Sequence, residues 1–330
     1  MRKLSLDEIK AMPATDIVNG LRGRQFSLLQ SLGFHKMRAE MNFTGFVCWA
    51  IIALTGLRKE ASPETPRTMN LKSKGRRKVE KILERAAPCT LKGDPPHFEC
   101  GTVFGFNHPS LGEILRFILI CVKKYHDRVN LFPVNLPWFE AIMPIVHDLE
   151  KIGIYVMPII TPSTRSKMAK KADSNTMEVV DSLSDGLKTL YLQKCVEFIK
   201  AGDSIWVAPT ATRQKTVFRS IDCKNGNVAI EPQTMTLLAL TLKRYKVTDC
   251  NFQVIGVMPP EDFGRGLNLF RTYNLGMGSS ISMQSAIGAA RERMLCGGSR
   301  FEFDFLSNIA NTVSGLKGKN IIAPNPTDET

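Results

Sequence analysis

The sequence predicts an α/β fold, a mostly parallel central sheet flanked by helices, with an N-terminal helical region ahead of it. Three observations carry that prediction. From about residue 89, short apolar runs alternate with segments of helical period, and strands separated by helices pair in parallel. Glycines stand where helices should stop, at Gly153 and Gly202. Hydrophobic residues make up 43% of 330, enough for a substantial core.

Each element has its local reason. "SLDE" at 5–8 forms a capping box, with Ser5 as N-cap and Glu8 reaching back. "DIVNGLRGRQFSLLQSLGF" spaces Ile17, Val18, Leu21, Leu28, Leu29 and Leu32 near helical period, weakened by Gly20 and Gly23. Residues 41–57, "MNFTGFVCWAIIALTGL", carry no charge. They read equally as a segment lying in one membrane leaflet or as a buried core helix, since periodicity does not separate the two. Residues 58–81 hold nine basic and three acidic residues and two prolines, a connector suited either to anionic headgroups or to solvent.

The α/β pattern then runs in order. "GTVFGF" is a strand and "SLGEILRFILICVKKY" a helix. "RVNLFPV" is a strand, "WFEAIMPIVHDLEKIG" a helix and "IYVMPII" a strand. "LSDGLKTLYLQKCVEFIKAG" is a helix, "DSIWVAP" a strand, "TMTLLALTLKRYKV" a helix and "NFQVIGVMP" a strand. Three regions follow: a basic helical stretch at 1–88, an α/β core at 89–262 and a C-terminal extension at 263–330. In the extension, "FGRGLNLFRTYNLGMGSSIS" reads as loop, "SAIGAARERMLCGG" as a short amphipathic helix and "GKNIIAPNPTDET" as a frayed tail. "GMGSS" lacks the rest of a phosphate-loop or dinucleotide fingerprint.

A formal net charge of +13 favours phosphate-bearing partners: nucleic acid, an anionic membrane or small phosphorylated substrates. Nucleic acid is disfavoured, because no recognition motif appears and aromatics are only 8%. The eight cysteines form no C-x-x-C and no zinc spacing, and read as reduced thiols, mostly buried. The N-terminus is no secretory signal. His35, His97, His126 and His147 are scattered without convincing carboxylate partners, so neither a metal nor a cofactor is expected.

The chemistry centres on "FGFNHPSLGE". His108 falls just past a strand end, and Glu113 falls in the first turns of the next helix. A regular helix does not pair residues at that spacing, but a strand–turn–helix bend does. A carboxylate on one imidazole nitrogen fixes the tautomer and leaves the other nitrogen to take a proton. Taken alone, a histidine at a strand end is more often structural, and H-x4-E arises readily by chance.

Four stretches in order resemble the blocks of the glycerophospholipid acyltransferase superfamily. "NHPSLGE" resembles the first block, N-H-x-S with an acid at H-x4 spacing from the histidine. "LPWFEAIMPIVHDLEKIGIYVMPIITPSTRSK" resembles the second. "CVEFIKAGDSIWVAPTATRQ" resembles the third, usually F-P-E-G-T-R-S, and "FQVIGVMPP" the fourth. The resemblance covers about residues 95–262. It implies His108 as general base on an acceptor hydroxyl and Glu113 as the acid that holds it. It implies Arg213 and Arg165 as ligands of an acceptor phosphate, with Lys215 adding charge. Asn107, Ser110, Thr210 and Thr212 would position the acceptor or its loops. Guanidinium suits the phosphate role because it grips bidentately.

The implied reaction moves a fatty acyl group from acyl-CoA or acyl carrier protein to a phosphate-bearing glycerolipid precursor, glycerol 3-phosphate or lysophosphatidate. It would take place at the cytoplasmic side of an anionic membrane, by a peripheral or monotopic enzyme. Three departures widen the acceptor. Glu113 stands where glycerophosphate-type members have Asp, as in the lipid A type. Thr210 and Ala211 replace the third block's Glu and Gly. The second block reads "PIITPSTR". A glycolipid or other lysolipid acceptor is therefore the alternative within the chemistry. A non-catalytic lipid- or phosphate-binding relative is the alternative outside it.

Overall fold

The computed structural model describes residues 1–57, 73–93, 100–109, 112–209, 234–260, 268–293 and 299–316, the side chains of 38–44 and 73–75 set aside. The N-terminal stretch forms α1 (Leu6–Ala11), α2 (Ala14–Arg22), α3 (Leu28–Ser31), α4 (His35–Thr55) and α5 (Ser73–Ala86). Then come β1 (Cys89–Lys92), β2 (Gly101–Phe106), α6 (Gly112–Lys124), β3 (Asn130–Asn135), α7 (Leu136–Ile142), α8 (Val146–Glu150) and β4 (Ile154–Ile159). They are followed by α9 (Pro162–Ala169), α10 (Ser174–Lys200), β5 (Ser204–Val207), α11 (Thr234–Arg244) and β6 (Cys250–Met258). The last described elements are β7 (Tyr273–Ser282), α12 (Met283–Arg291) and α13 (Arg300–Leu316). The fold is α/β. β1–β7, β2–β5, β2–β6 and β3–β4 pair in parallel, and β6–β7 pair antiparallel.

Two compact units divide the chain, the first comprising Met1–Leu83 and Cys121–Lys194, the second Glu84–Ile120 and Cys195–Thr330. In the first unit, α7 and α8 cross over between the parallel strands β3 and β4. The helix expected over 138–153 is broken, with a 3-10 turn at Met143–Ile145. Pro144 lies in that turn; a proline has no N–H to donate, and its ring clashes with the carbonyl of the preceding helical turn. Gly153 and Gly202 adopt φ of 76° and 80°, the left-handed stops their positions predict. The capping box at Ser5 and Glu8 forms as expected. The 16–34 segment splits into α2 and α3.

Buried polar side chains tie the N-terminal helices to this unit. The Arg22 guanidinium donates to Val156 O at 2.7 Å, lies 4.2 Å over the Tyr155 ring and pairs with Glu150. Glu140, buried, accepts from Leu29 N at 2.9 Å and from the Ser27 hydroxyl, and so caps α3. Lys151 donates to Leu57 O at 2.9 Å and closes the chain just past α4. α4 is one-sided: Ile51 and Ile52 are buried, while Phe46 and Leu54 are exposed. Among the described residues no helix is long and apolar enough to cross a membrane. The basic connector lies partly outside the described residues, at 58–72, and partly in α5.

In the second unit the strands lie in the order β1-β7-β6-β2-β5. β2 is buried along its whole length between two parallel neighbours. An aromatic group fixes α6 upon it: Phe104 stacks on Trp206 at 4.3 Å, and Phe117 of α6 meets Trp206 at 5.3 Å and Phe106 at 4.3 Å.

Residues 273–282, expected as loop, form β7 instead. Their glycines serve close packing rather than turning. Gly256 and Gly276 face each other across β6 and β7, and Thr312 of α13 rests on both. A Cβ at Gly256 would come within 2.7 Å of Thr312 Cγ2, and one at Gly278 within 2.5 Å of Thr312 Oγ1. Gly256→Ala should therefore cost about 1–3 kcal/mol by overpacking. Thr312→Ala should recover much of that loss in a double-mutant cycle of denaturant melts. Full additivity of the two changes would contradict this packing.

α13 also carries a buried acid. Glu302 accepts from Thr236 N at 2.9 Å and Thr236 Oγ1 at 3.2 Å, and so caps α11 from outside. Burial pushes its carboxyl up to about 7, against the helix-end hydrogen bonds that pull it down. Because the folded value is raised, the folded state holds a proton that the unfolded chain releases near 4.5. Stability should then fall as pH rises from about 4.5 to 7 and level off above. The span corresponds to about 3 kcal/mol. Thermal melts of Glu302→Gln across that window should be flatter than wild type, and parallel curves would contradict the assignment.

Candidate functional site

The site begins where β2 ends. With β2 covered by strands on both sides, its chain must leave at the carboxyl edge, where ligands of parallel α/β sheets gather. The first residue out is Asn107, buried, whose amide replaces the ladder that has just stopped. Its Nδ2 donates to Val257 O at 2.7 Å and its Oδ1 accepts from Val257 N at 2.7 Å. One asparagine side chain thus supplies both a donor and an acceptor to a single residue of β6. This pins the turn that leads to His108.

His108 follows. α6 starts at Gly112, so Glu113 falls in its first turn, where a negative charge also suits the helix dipole. The bend brings the two together: His108 Nδ1 contacts Glu113 Oε1. Glu113 is wholly buried, and the imidazole keeps 19% of its side-chain surface exposed. The carboxylate therefore engages the inner nitrogen, and Nε2 remains as the nitrogen that can exchange a proton with a ligand. A buried acid, an oriented imidazole and a part-exposed edge form the arrangement of a general base.

The other predicted residues fall elsewhere. Ser110, Thr210, Thr212, Arg213 and Lys215 lie outside the described residues. The ends of the segment holding the last four are described. Thr234 Oγ1 donates to Pro209 O at 3.2 Å, and Pro209 follows β5, whose Val207 registers with Gly105 of β2.

Arg165 lies on α9 of the first unit, in a helix that Thr161 caps, rather than in a loop. Its guanidinium grips Asp181 bidentately, Nε to Oδ1 at 2.6 Å and Nη2 to Oδ2 at 2.7 Å. The hydrogen bond and charge of Asp181 raise its pKa further. A phosphate would have to compete with that carboxylate.

His147, read from sequence as lacking a carboxylate partner, has one: its Nδ1 lies 3.0 Å from Glu150 Oε2. The i, i+3 spacing within α8 is the signal for it. Sequence reading also passed over Arg116, a charge inside the otherwise apolar run "ILRFILI", which is fully buried one turn beyond Glu113. Six cysteines are described as free thiols, with Cys121, Cys195 and Cys250 buried and Cys48, Cys89 and Cys100 partly exposed.

A scan against protein-family models finds no match, and a search of curated proteins returns none, so the geometry of this site and the residues around it are what a functional reading stands on.

Proposed function

We propose that the protein is an O-acyltransferase that moves a fatty acyl group from a thioester, acyl-CoA or acyl carrier protein, to a hydroxyl of a phosphate-bearing glycerolipid precursor. The observation that carries this reading is the His108–Glu113 pair at the carboxyl end of a buried parallel strand. His108 Nε2 takes the proton of the acceptor hydroxyl while Glu113 steadies the imidazolium. The acceptor oxygen attacks the thioester carbonyl carbon. The tetrahedral intermediate collapses with cleavage of the C–S bond, and the leaving thiolate takes the proton back from His108. No nucleophile on the protein and no oxidant is needed. The resemblance of four blocks to the glycerophospholipid acyltransferases supports the same chemistry and suggests Arg213 as the acceptor's phosphate ligand.

The membrane side of the proposal rests on the first unit. Phe46 and Leu54 stand out from α4 at 60% and 68% exposure, and Phe46 stacks on Trp49. The Lys78 ammonium lies beside Gly56 at the end of that helix, and Arg77 and Lys81 are exposed on α5. An apolar stripe bordered by cations suits the surface of an anionic bilayer.

His108→Ala should lower thiol release from a long-chain acyl-CoA by at least about a thousandfold, in line with loss of a general base and its orientation. Activity equal to wild type would overturn the mechanism. A panel of glycerol 3-phosphate, lysophosphatidate, a neutral lysolipid and a glycolipid, run with wild type and Arg213→Ala, reads the acceptor. The variant should lose turnover only with phosphate-bearing acceptors. Preference for the glycolipid would move the assignment to the alternative acceptor. Vesicle retention without any turnover would favour a binding relative. In vesicle sedimentation, Phe46→Ser with Leu54→Ser should cut retention on phosphatidylglycerol-containing membranes by about tenfold without moving the melting temperature. Unchanged retention would exclude α4 as the docking face.

A further inference from the structure

The buried arginine on α6 has no part in the chemistry above, yet its surroundings are built with care. Arg116 is fully buried and lies three residues after Glu113, on the same side of the helix. Its Nη1 donates to Gly112 O at 2.7 Å, and its Nη2 donates to Asn268 O at 2.8 Å and to Arg271 O at 2.7 Å. The Tyr273 ring lies 4.1 Å beneath the guanidinium carbon. Burial lowers its pKa, while Tyr273, Cys89 and Glu113 act in the opposite sense.

The turn that offers those carbonyls is strained. Asn268 and Phe270 both adopt left-handed backbone conformations, φ 44° and 60°, which a bulky residue such as phenylalanine rarely takes. The Phe270 side chain is 73% exposed, so its own packing does not hold it there. Backbone hydrogen bonds do: Phe270 N donates to Ala86 O at 2.9 Å and Tyr273 N to Pro88 O at 3.2 Å. The strained turn therefore points two carbonyls, Asn268 O and Arg271 O, at one guanidinium that also donates to Gly112 O at the start of α6.

Gly112 is the first residue of α6 and Glu113 the second, so the Nη1 bond to Gly112 O ties the helix start to the 268–271 turn. A hydrogen bond from the imidazole to a carboxylate forms only where that carboxylate is held in reach and in line. We propose that Arg116 is a positioning residue: its planar fork clamps the first turn of α6 to the carbonyls of Asn268 and Arg271, so that Glu113 stays in place to hold His108 in the tautomer that presents Nε2. The inference rests on the reading of His108 as the base.

The test uses the full chain and reads the hydrogen bond separately from turnover. An imidazole N–H held by a carboxylate gives a downfield proton resonance, assigned to His108 by its disappearance in His108→Ala. Arg116→Met should lose or markedly broaden that resonance, as should Glu113→Gln. Arg116→Lys, which keeps the charge but not the planar fork, should weaken it as well. In turnover, Arg116→Met should lower kcat by about tenfold to a hundredfold while KM stays within about threefold. A folded Arg116→Met with the resonance intact overturns the proposal. Should that variant not fold, a folded Arg116→Lys with the resonance unchanged from wild type overturns it equally. Wild-type protein that shows the resonance and its dependence on Arg116, yet no thiol release with any acceptor, rejects the acyl-transfer reading and leaves the positioning role standing.

Discussion

A carboxylate with no exposed surface sits at the start of α6, and much of the second unit is arranged around keeping it there. Glu113 is placed by a helix whose Phe117 is wedged against Trp206 and Phe106, so the helix cannot rotate without opening the aromatic group beneath it. The turn before it is fixed at its other end by Asn107, bonded twice to Val257. The imidazole between these anchors has little freedom left. In the proposed reaction that economy would favour proton transfer, because an oriented base loses less entropy at the moment of reaction than a mobile one.

Burying polar groups is expensive unless each finds a partner. The protein meets that demand with side chains aimed at backbone. Arg116 is surrounded by carbonyls, Glu140 caps α3, Glu302 caps α11 and Lys151 closes the end of the α4 stretch. Each of these links elements distant in sequence. Polar burial therefore serves here as stitching, which gives direction where hydrophobic packing gives none.

Much of this was legible beforehand. The strands at 101–106, 130–135, 154–159, 204–207 and 250–258 fall where apolar runs bounded by turn residues put them. The pairing of His108 with Glu113 followed from a strand, a bend and a helix in succession. What escaped did so for identifiable reasons. Residues 273–282 are dense in glycine, and glycine in sequence signals turning. Whether it instead makes room for a helix depends on Thr312, some thirty residues away. α13 was not anticipated as an element, and neither was the short edge strand β1, whose partner β7 is distant in the chain. The single helix expected at 138–153 breaks at Pro144, whose ring and missing N–H outweigh the helical period around it.

The sequence by itself determined the α/β class, the order of the elements and the residue types that could do proton chemistry, because those follow from local periodicity, capping and turn preference. Only the tertiary structure decided which charges are spoken for. It engaged Arg165 with Asp181, buried Arg116 one turn beyond Glu113 and turned the carbonyls of Asn268 and Arg271 onto it. The physical reason is range. Helix and strand signals act over a few residues, whereas desolvation and charge compensation depend on which distant groups the fold brings within a few ångströms, and no local pattern contains that information.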